Sequence, residues 1–111
     1  MEEKKRDIYY FAGTHWDREW YQTFQQFRYR LVDMLDELVE TMENDPSLGV
    51  FHLDGQTIVM EDYAEINPEG AERLKKLVAQ GRVKIGPWYV MPDEFLVSGE
   101  AMIRNLQAGR R

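Results

Sequence analysis

His15 and Asp17 stand on either side of Trp16, directly behind the apolar run Ile8-Tyr9-Tyr10-Phe11-Ala12. Two steps along an extended backbone return a side chain to the same side, so an imidazole nitrogen and a carboxylate oxygen can reach one ion. Donors of these types hold Zn2+ at about 2.0 to 2.2 Å, and a catalytic zinc site needs further ligands and an open position. The pair supplies at most half of such a site. A bare His-x-Asp is more often a histidine held by a hydrogen bond to its neighbour. Trp16 and Trp20 flank the pair. An indole face suits the apolar C–H face of a sugar, and it serves equally well to pin a loop to a core.

Other ionisable residues carry weaker signals. Asp54, at the end of Val50-Phe51-His52-Leu53, is placed to line a pocket without touching a metal. His52 reads as a histidine packed in the sheet. Asp93 and Glu94 are adjacent carboxylates, but neighbours in an extended loop point to opposite sides, which favours loop hydrogen bonding or a solvated face over paired acid and base work. Glu61, Asp62, Lys75 and Lys76 read as helix-surface charges.

The elements that position these residues follow from periodicity and punctuation. Ile8 to Phe11, β-branched and aromatic, reads as a buried strand running into a loop at Gly13. Thr23 and Gln26 form a capping box ahead of Phe24, Phe27, Leu31, Leu35, Leu38 and Met42, whose spacing predicts a long amphipathic helix stopped at Asn44-Asp45-Pro46. Val50 to Leu53 is a second strand with an Asp54-Gly55 turn, followed by a short helix with Val59, Tyr63 and Ile66 inward. Asn67-Pro68 caps a helix striped by Ala71, Leu74 and Leu77/Val78 and ended by Gly81. Val83 to Gly86 is a third strand, Pro87 to Pro92 a structured loop, and Ser98 caps a last helix carrying Met102, Ile103 and Leu106. Crossover helices between strands imply an α/β fold with a parallel sheet, whose chemistry sits in the loops opening at Gly13, Asp54 and Gly86.

Composition narrows the function. The 111 residues, 43% of them hydrophobic, suffice for one domain or part of one. The absence of cysteine excludes disulfides, thiolate metal sites and a cysteine nucleophile, so any metal site uses oxygen and nitrogen. Fourteen Lys and Arg against twenty Asp and Glu leave a net charge of −6, which argues against nucleic acid as a partner. The first seven residues are a charged tail, and the apolar run after them is too short for a signal core or a membrane span. A cytoplasmic location is the default expectation.

The segment from Ile8 to Tyr21, with Thr14-His15-Trp16-Asp17-Arg18-Glu19-Trp20 at its centre, closely resembles the opening strand and metal loop of the α-mannosidases of glycoside hydrolase family 38, in their bacterial branch. Phe51 to Thr57, Glu61-Asp62-Tyr63, Ile85 to Tyr89 and Ser98 to Leu106 resemble successive landmarks of the same domain in the same order, so the likeness spans Ile8 to Gly109. The resemblance implies a retaining hydrolase of terminal α-mannosides on a seven-stranded β/α barrel, with zinc at the floor of the sugar pocket. Residues 1–111 would then be the N-terminal part of the catalytic domain, carrying the first three strand–helix units. By position in the motif, His15 and Asp17 match two zinc ligands and Trp20 the aromatic platform beneath the mannose. The nucleophile and general acid are expected beyond Arg111, so no catalytic residue falls within the chain. Many members carry a histidine where this chain has Gly13, a position that is not a ligand.

Two other readings compete. One is a truncated, non-catalytic α/β module that self-associates through open strand edges. The other is a metal-dependent domain of the sugar-deacetylase type. The expected partners are an α-mannoside and either a second copy or the remainder of the catalytic domain.

Overall fold

The computed structural model describes residues 5–111. The charged tail expected over residues 1–7 therefore lies partly outside the described residues.

Thr23 opens the longest helix, α1 (Phe24–Asn44), through a reciprocal box: its hydroxyl accepts from the Gln26 amide, and the Gln26 side chain accepts from the Thr23 amide at 3.0 Å. Phe27, Leu31, Leu35, Val39 and Met42 form its buried stripe. Asp45 and Pro46 end it in a single 3-10 turn, Pro46–Leu48. The next helix, α2 (Ile58–Ile66), buries Val59 and Tyr63 but leaves Ile66 exposed, contrary to the sequence reading. In α3 (Pro68–Ala79), Asn67 caps the first turn by accepting from the Gly70 amide, and Gly81 beyond its end takes a positive φ of 75°. Gly70 lets α3 meet α2 closely, because a Cβ there would collide with the Tyr63 hydroxyl. Tyr63 and Asn67 both donate to Asp36 of α1, at 2.6 and 2.8 Å, which ties the three helices together. Burial and this bond to a carboxylate both push the Tyr63 hydroxyl upward in pKa. The last helix, α4 (Gly99–Gly109), is capped by Ser98, buries no residue fully and leaves Ile103 mostly exposed.

Three short strands, β1 (Ala12–Thr14), β2 (Phe51–Leu53) and β3 (Val83–Lys84), form one parallel sheet in that order. Leu53 and Val83 join Leu31, Leu35, Val39, Tyr63, Leu74 and Leu77 in one core cluster. Burial of each large aliphatic among them stabilises by about 1.5 to 3 kcal/mol. The alternating residues His52 and Lys84 instead border a cleft with Tyr10, Phe11 and Val50.

The first strand departs from the sequence reading. Its ladder starts at Ala12, opposite Phe51, and Ile8, Tyr9, Tyr10 and Phe11 are 92, 78, 90 and 73% exposed. Upstream of Phe51, Gly49 turns the chain at φ 65°, so β2 offers these four residues no ladder to join. Apolar composition predicted a strand, but pairing decides where one begins.

Candidate active site

All three strands deliver their carboxyl ends to one side, as a parallel sheet requires. Residues of the three loops that follow line an open cavity of about 870 Å3: His15 to Glu19 from the first, Gln56 from the second, and Val90 to Phe95 from the third.

His15 is exposed but not free. Its Nδ1 lies 3.1 Å from Asp54 Oδ1, and its Nε2 lies 3.4 Å from Asp17 Oδ1. An ionised carboxylate can only accept, so Nδ1 carries the proton donated to Asp54. Nε2 is thereby turned toward Asp17. The hydrogen bond to Asp54 is the main cause that raises the His15 pKa, with its charge next and Asp17 adding a smaller share. Asp54 owes its reach to the turn between β2 and α2. Asp54 and Gly55 have φ of 47° and 69°, and the Gln56 amide returns to the Leu53 carbonyl at 3.3 Å, the φ pattern of a type I′ turn. Aspartate tolerates this left-handed backbone better than most residues. Its second oxygen accepts from the Trp16 amide at 2.9 Å and from the Gln56 side chain at 3.0 Å.

Trp16 and Trp20 divide their roles. Trp16 packs edge-on against Phe27 beside the core, whereas Trp20 is 75% exposed, lies edge-on to Tyr21 and is not among the residues lining the cavity. Asp54 also sits behind the cavity wall, holding His15, rather than in it.

Asp62, read from sequence as a helix-surface charge, is buried. It accepts from Arg18 Nε and Nη2 at 2.7 and 2.9 Å, and Arg18 also lies over the Phe24 ring. This bond is the first cause that raises the Arg18 pKa. Asp62 faces inward because the first loop carries Arg18 across to α2, a contact spanning 44 residues that helical periodicity cannot register. Glu61 does stay on the surface, where it accepts from the Tyr89 hydroxyl at 2.7 Å. Asp93 and Glu94 both line the cavity, and the segment is a turn rather than the extended loop expected, because the Leu96 and Val97 amides bond back to the Asp93 carbonyl. His52, in the middle of β2, lies outside this cavity, edge-on to Phe11 in the cleft it shares with Lys84.

Two residues fell inside segments singled out in the sequence, but no role was read for them. Gln56 joins the loops from below the cavity, and Asn105 of α4 accepts from the Tyr89 and Val90 amides and donates to the Val90 carbonyl at 2.6 Å, holding the third loop. An amide side chain has no local pattern that marks it as an anchor.

The donor chemistry and spacing at His15 and Asp17 suit zinc. Bonds of about 2.1 Å at the tetrahedral angle separate two ligand atoms by about 3.4 Å, the separation found here. Asp17, Glu19, Asp93 and Glu94 face the cavity against the one guanidinium of Arg18 among its lining residues, a charge balance that favours a cation. Among the described residues no group of three His, Asp or Glu could hold a metal ion, so this chain could offer an ion two ligands at most from His15 and Asp17.

Comparisons with known proteins place the chain in a family. A protein of Halalkalibacterium halodurans named a mannosylglycerate hydrolase is 46% identical over 105 residues, 95% of this chain and 12% of that protein. The crystal structure of an α-mannosidase from Enterococcus faecalis V583 superposes with a TM-score of 0.85 at 44% identity, over 89% of this chain and 11% of that one. A second Enterococcus faecalis structure, of a protein in glycosyl hydrolase family 38, gives 0.81 at 40% identity, over 90% and 12%. The chain thus spans only 11 to 12% of the length of these relatives. The pattern of the family 38 N-terminal domain matches residues 5–111, and the chain belongs to the glycosyl hydrolases of family 38.

Proposed function

We propose that this chain supplies the zinc-binding corner of an α-mannosidase that cleaves terminal α-mannosides with retention, and that its three strands open a seven-stranded β/α barrel. His15 Nε2 and Asp17 Oδ1 hold the ion, Asp54 acts on the sugar site through His15, and Trp20, which stands outside the cavity lining described above, is assigned the platform beneath the terminal sugar by its place in the motif. The observation that carries this reading is the 3.4 Å separation of the two donors, oriented from behind by the Asp54 carboxylate. Such a carboxylate–histidine arrangement fixes the tautomer and the ring of a metal ligand.

When bound, zinc supplies Lewis-acid grip on sugar hydroxyls and offsets charge as the oxocarbenium-like state develops. The chain's own residues do the positioning. Asp54 keeps the His15 proton on Nδ1, which leaves the Nε2 lone pair for the ion. Arg18, clamped by Asp62, stiffens the loop that carries both ligands. Retention needs two carboxyl groups about 5 to 5.5 Å apart, one attacking the anomeric carbon and one protonating the leaving oxygen. We assign both to residues outside these 111, and the bound partner to an α-mannoside.

Calorimetric zinc titration tests the reading, with hydrolysis of an aryl α-mannoside followed in parallel. Weak zinc binding that disappears in both His15→Ala and Asp17→Ala is expected, with no turnover by the 111-residue chain alone, because two ligands leave a tetrahedral ion mostly to water. Undiminished zinc affinity in the His15→Ala/Asp17→Ala double variant would remove the assignment, and metal-dependent turnover by the isolated chain would place the catalytic carboxylates within it.

A further inference from the structure

Gln56 is 3% exposed, and a buried amide is costly unless its donors and acceptor find partners. It finds one in each of the three loops. Its Nε2 donates to the Trp16 carbonyl at 2.7 Å in the first loop and to Asp54 Oδ2 at 3.0 Å in the second. Its Oε1 accepts from the Met91 amide at 3.3 Å in the third. Both oxygens of the Asp54 carboxylate are engaged as a result: one accepts from His15, and the other accepts from the Trp16 amide and Gln56. Trp16 is bound at both its amide and its carbonyl, so the segment between His15 and Asp17 is held from two sides.

We propose that Gln56 is a positioning residue that locks the Asp54 carboxylate against His15 Nδ1 and so presents His15 Nε2 beside Asp17. Its consequence for metal binding rests on the zinc reading above, whereas its effect on His15 does not. The two ends of the amide act differently. The donor end fixes the first two loops, where the ligand pair is oriented, and the acceptor end fixes only the third. Gln56→Glu keeps the size and the acceptor for Met91 but turns a carboxylate oxygen toward Asp54 and the Trp16 carbonyl. Gln56→Leu removes all three bonds. Asn105→Ala releases the third loop without touching Asp54 and serves as the comparison for a purely structural loss.

The experiment measures two quantities on the full-length polypeptide: zinc affinity by competition with a chromophoric chelator, and the 15N shifts of the His15 ring, assigned by their loss in His15→Gln. In the parent protein the ring shifts report the Nδ1–H form. Both Gln56 variants are expected to show a mixture of ring forms and a zinc affinity lowered by up to about 10-fold, the low end of the range for losing an outer partner of a metal ligand, because Gln56 acts on His15 through Asp54. Asn105→Ala retains both parent values. Parent-like ring shifts and affinity in both Gln56 variants would overturn the proposal, as would equal changes in all three variants. A parent protein that binds no zinc, with ring shifts still moved by Gln56→Leu, would overturn the metal reading and leave the positioning role standing.

Discussion

Two arginine–carboxylate pairs of similar reach sit at opposite ends of the sheet. Arg18 and Asp62 meet at the carboxyl end, beside the cavity, where the Asp62 side chain is 8% exposed. Arg73 and Glu43 meet beside the last turn of α1, toward the amino end, with side chains 43 and 37% exposed. Both are bidentate or nearly so. The first replaces the water that buried Asp62 has lost and fixes a loop that carries candidate ligands. The second remains open to solvent. Geometry alone does not distinguish them, but burial does, and burial marks the end of the sheet where position matters for chemistry.

The largest expected effect breaks the first pair. Asp62→Ala removes two charge-assisted bonds from Arg18 and leaves the guanidinium over Phe24 without an anion. A fully buried pair broken in this way costs about 3 to 5 kcal/mol. Arg18 is about a third exposed and recovers some water, so a loss of about 1.5 to 3 kcal/mol is expected, read as a lowered urea midpoint at unchanged slope. A double-mutant cycle with Arg18→Ala should recover much of it as coupling. Coupling no larger than that of the Arg73–Glu43 pair would erase the contrast.

The same contrast explains what the sequence disclosed. Thr23, Asn67, Ser98, Gly81 and the Asp54-Gly55 turn act through bonds within a few residues, and each occupies the place its local pattern predicted. The parallel α/β order was legible for the same reason, since it follows from alternating short apolar runs and amphipathic stripes. His15 and Asp17 could be singled out by spacing, but the bond from His15 to Asp54 crosses 39 residues and Gln56 to Trp16 crosses 40. Ile8 to Phe11 failed as a strand because partner availability is a property of β2, not of their own side chains. The turn at Asp93 likewise overrode the alternation assumed for an extended loop.

A smaller effect is expected at the apolar surface of the amino end. Ile8→Ser and Phe11→Ser alter side chains that are 92 and 73% exposed. With so little area buried against the described residues, each should shift stability by less than about 0.5 kcal/mol in thermal melts of the chain. Phe11 keeps one contact, edge-on to His52 at 5.8 Å between ring centres, so it should show the larger shift of the two. A loss above about 1 kcal/mol from Ile8→Ser would mean that these residues are covered in solution, and the amino end would then no longer be the loosely held one.

The smallest effect is the pH dependence of the exposed pair. The Glu43 carboxyl is held below its ordinary value by the hydrogen bond from Arg73, which outweighs the opposing effect of burial and is reinforced by the lesser effects of the Arg73 and Lys76 charges. A group whose pKa is depressed on folding contributes its stabilisation above the unfolded value and loses it as the pH falls through the folded one. The contribution of Glu43 is therefore expected to be complete at neutral pH and to fade below the ordinary glutamate value of about 4.3. Thermal melts of the parent chain and Glu43→Gln should differ slightly from pH 7 to about 5 and converge in more acidic solution, and added salt should shrink the difference at every pH. The same salt should leave the cost of Asp62→Ala nearly unchanged, because Asp62 is shielded from the ions that reach Glu43. Equal salt sensitivity at the two sites would show that burial does not separate them.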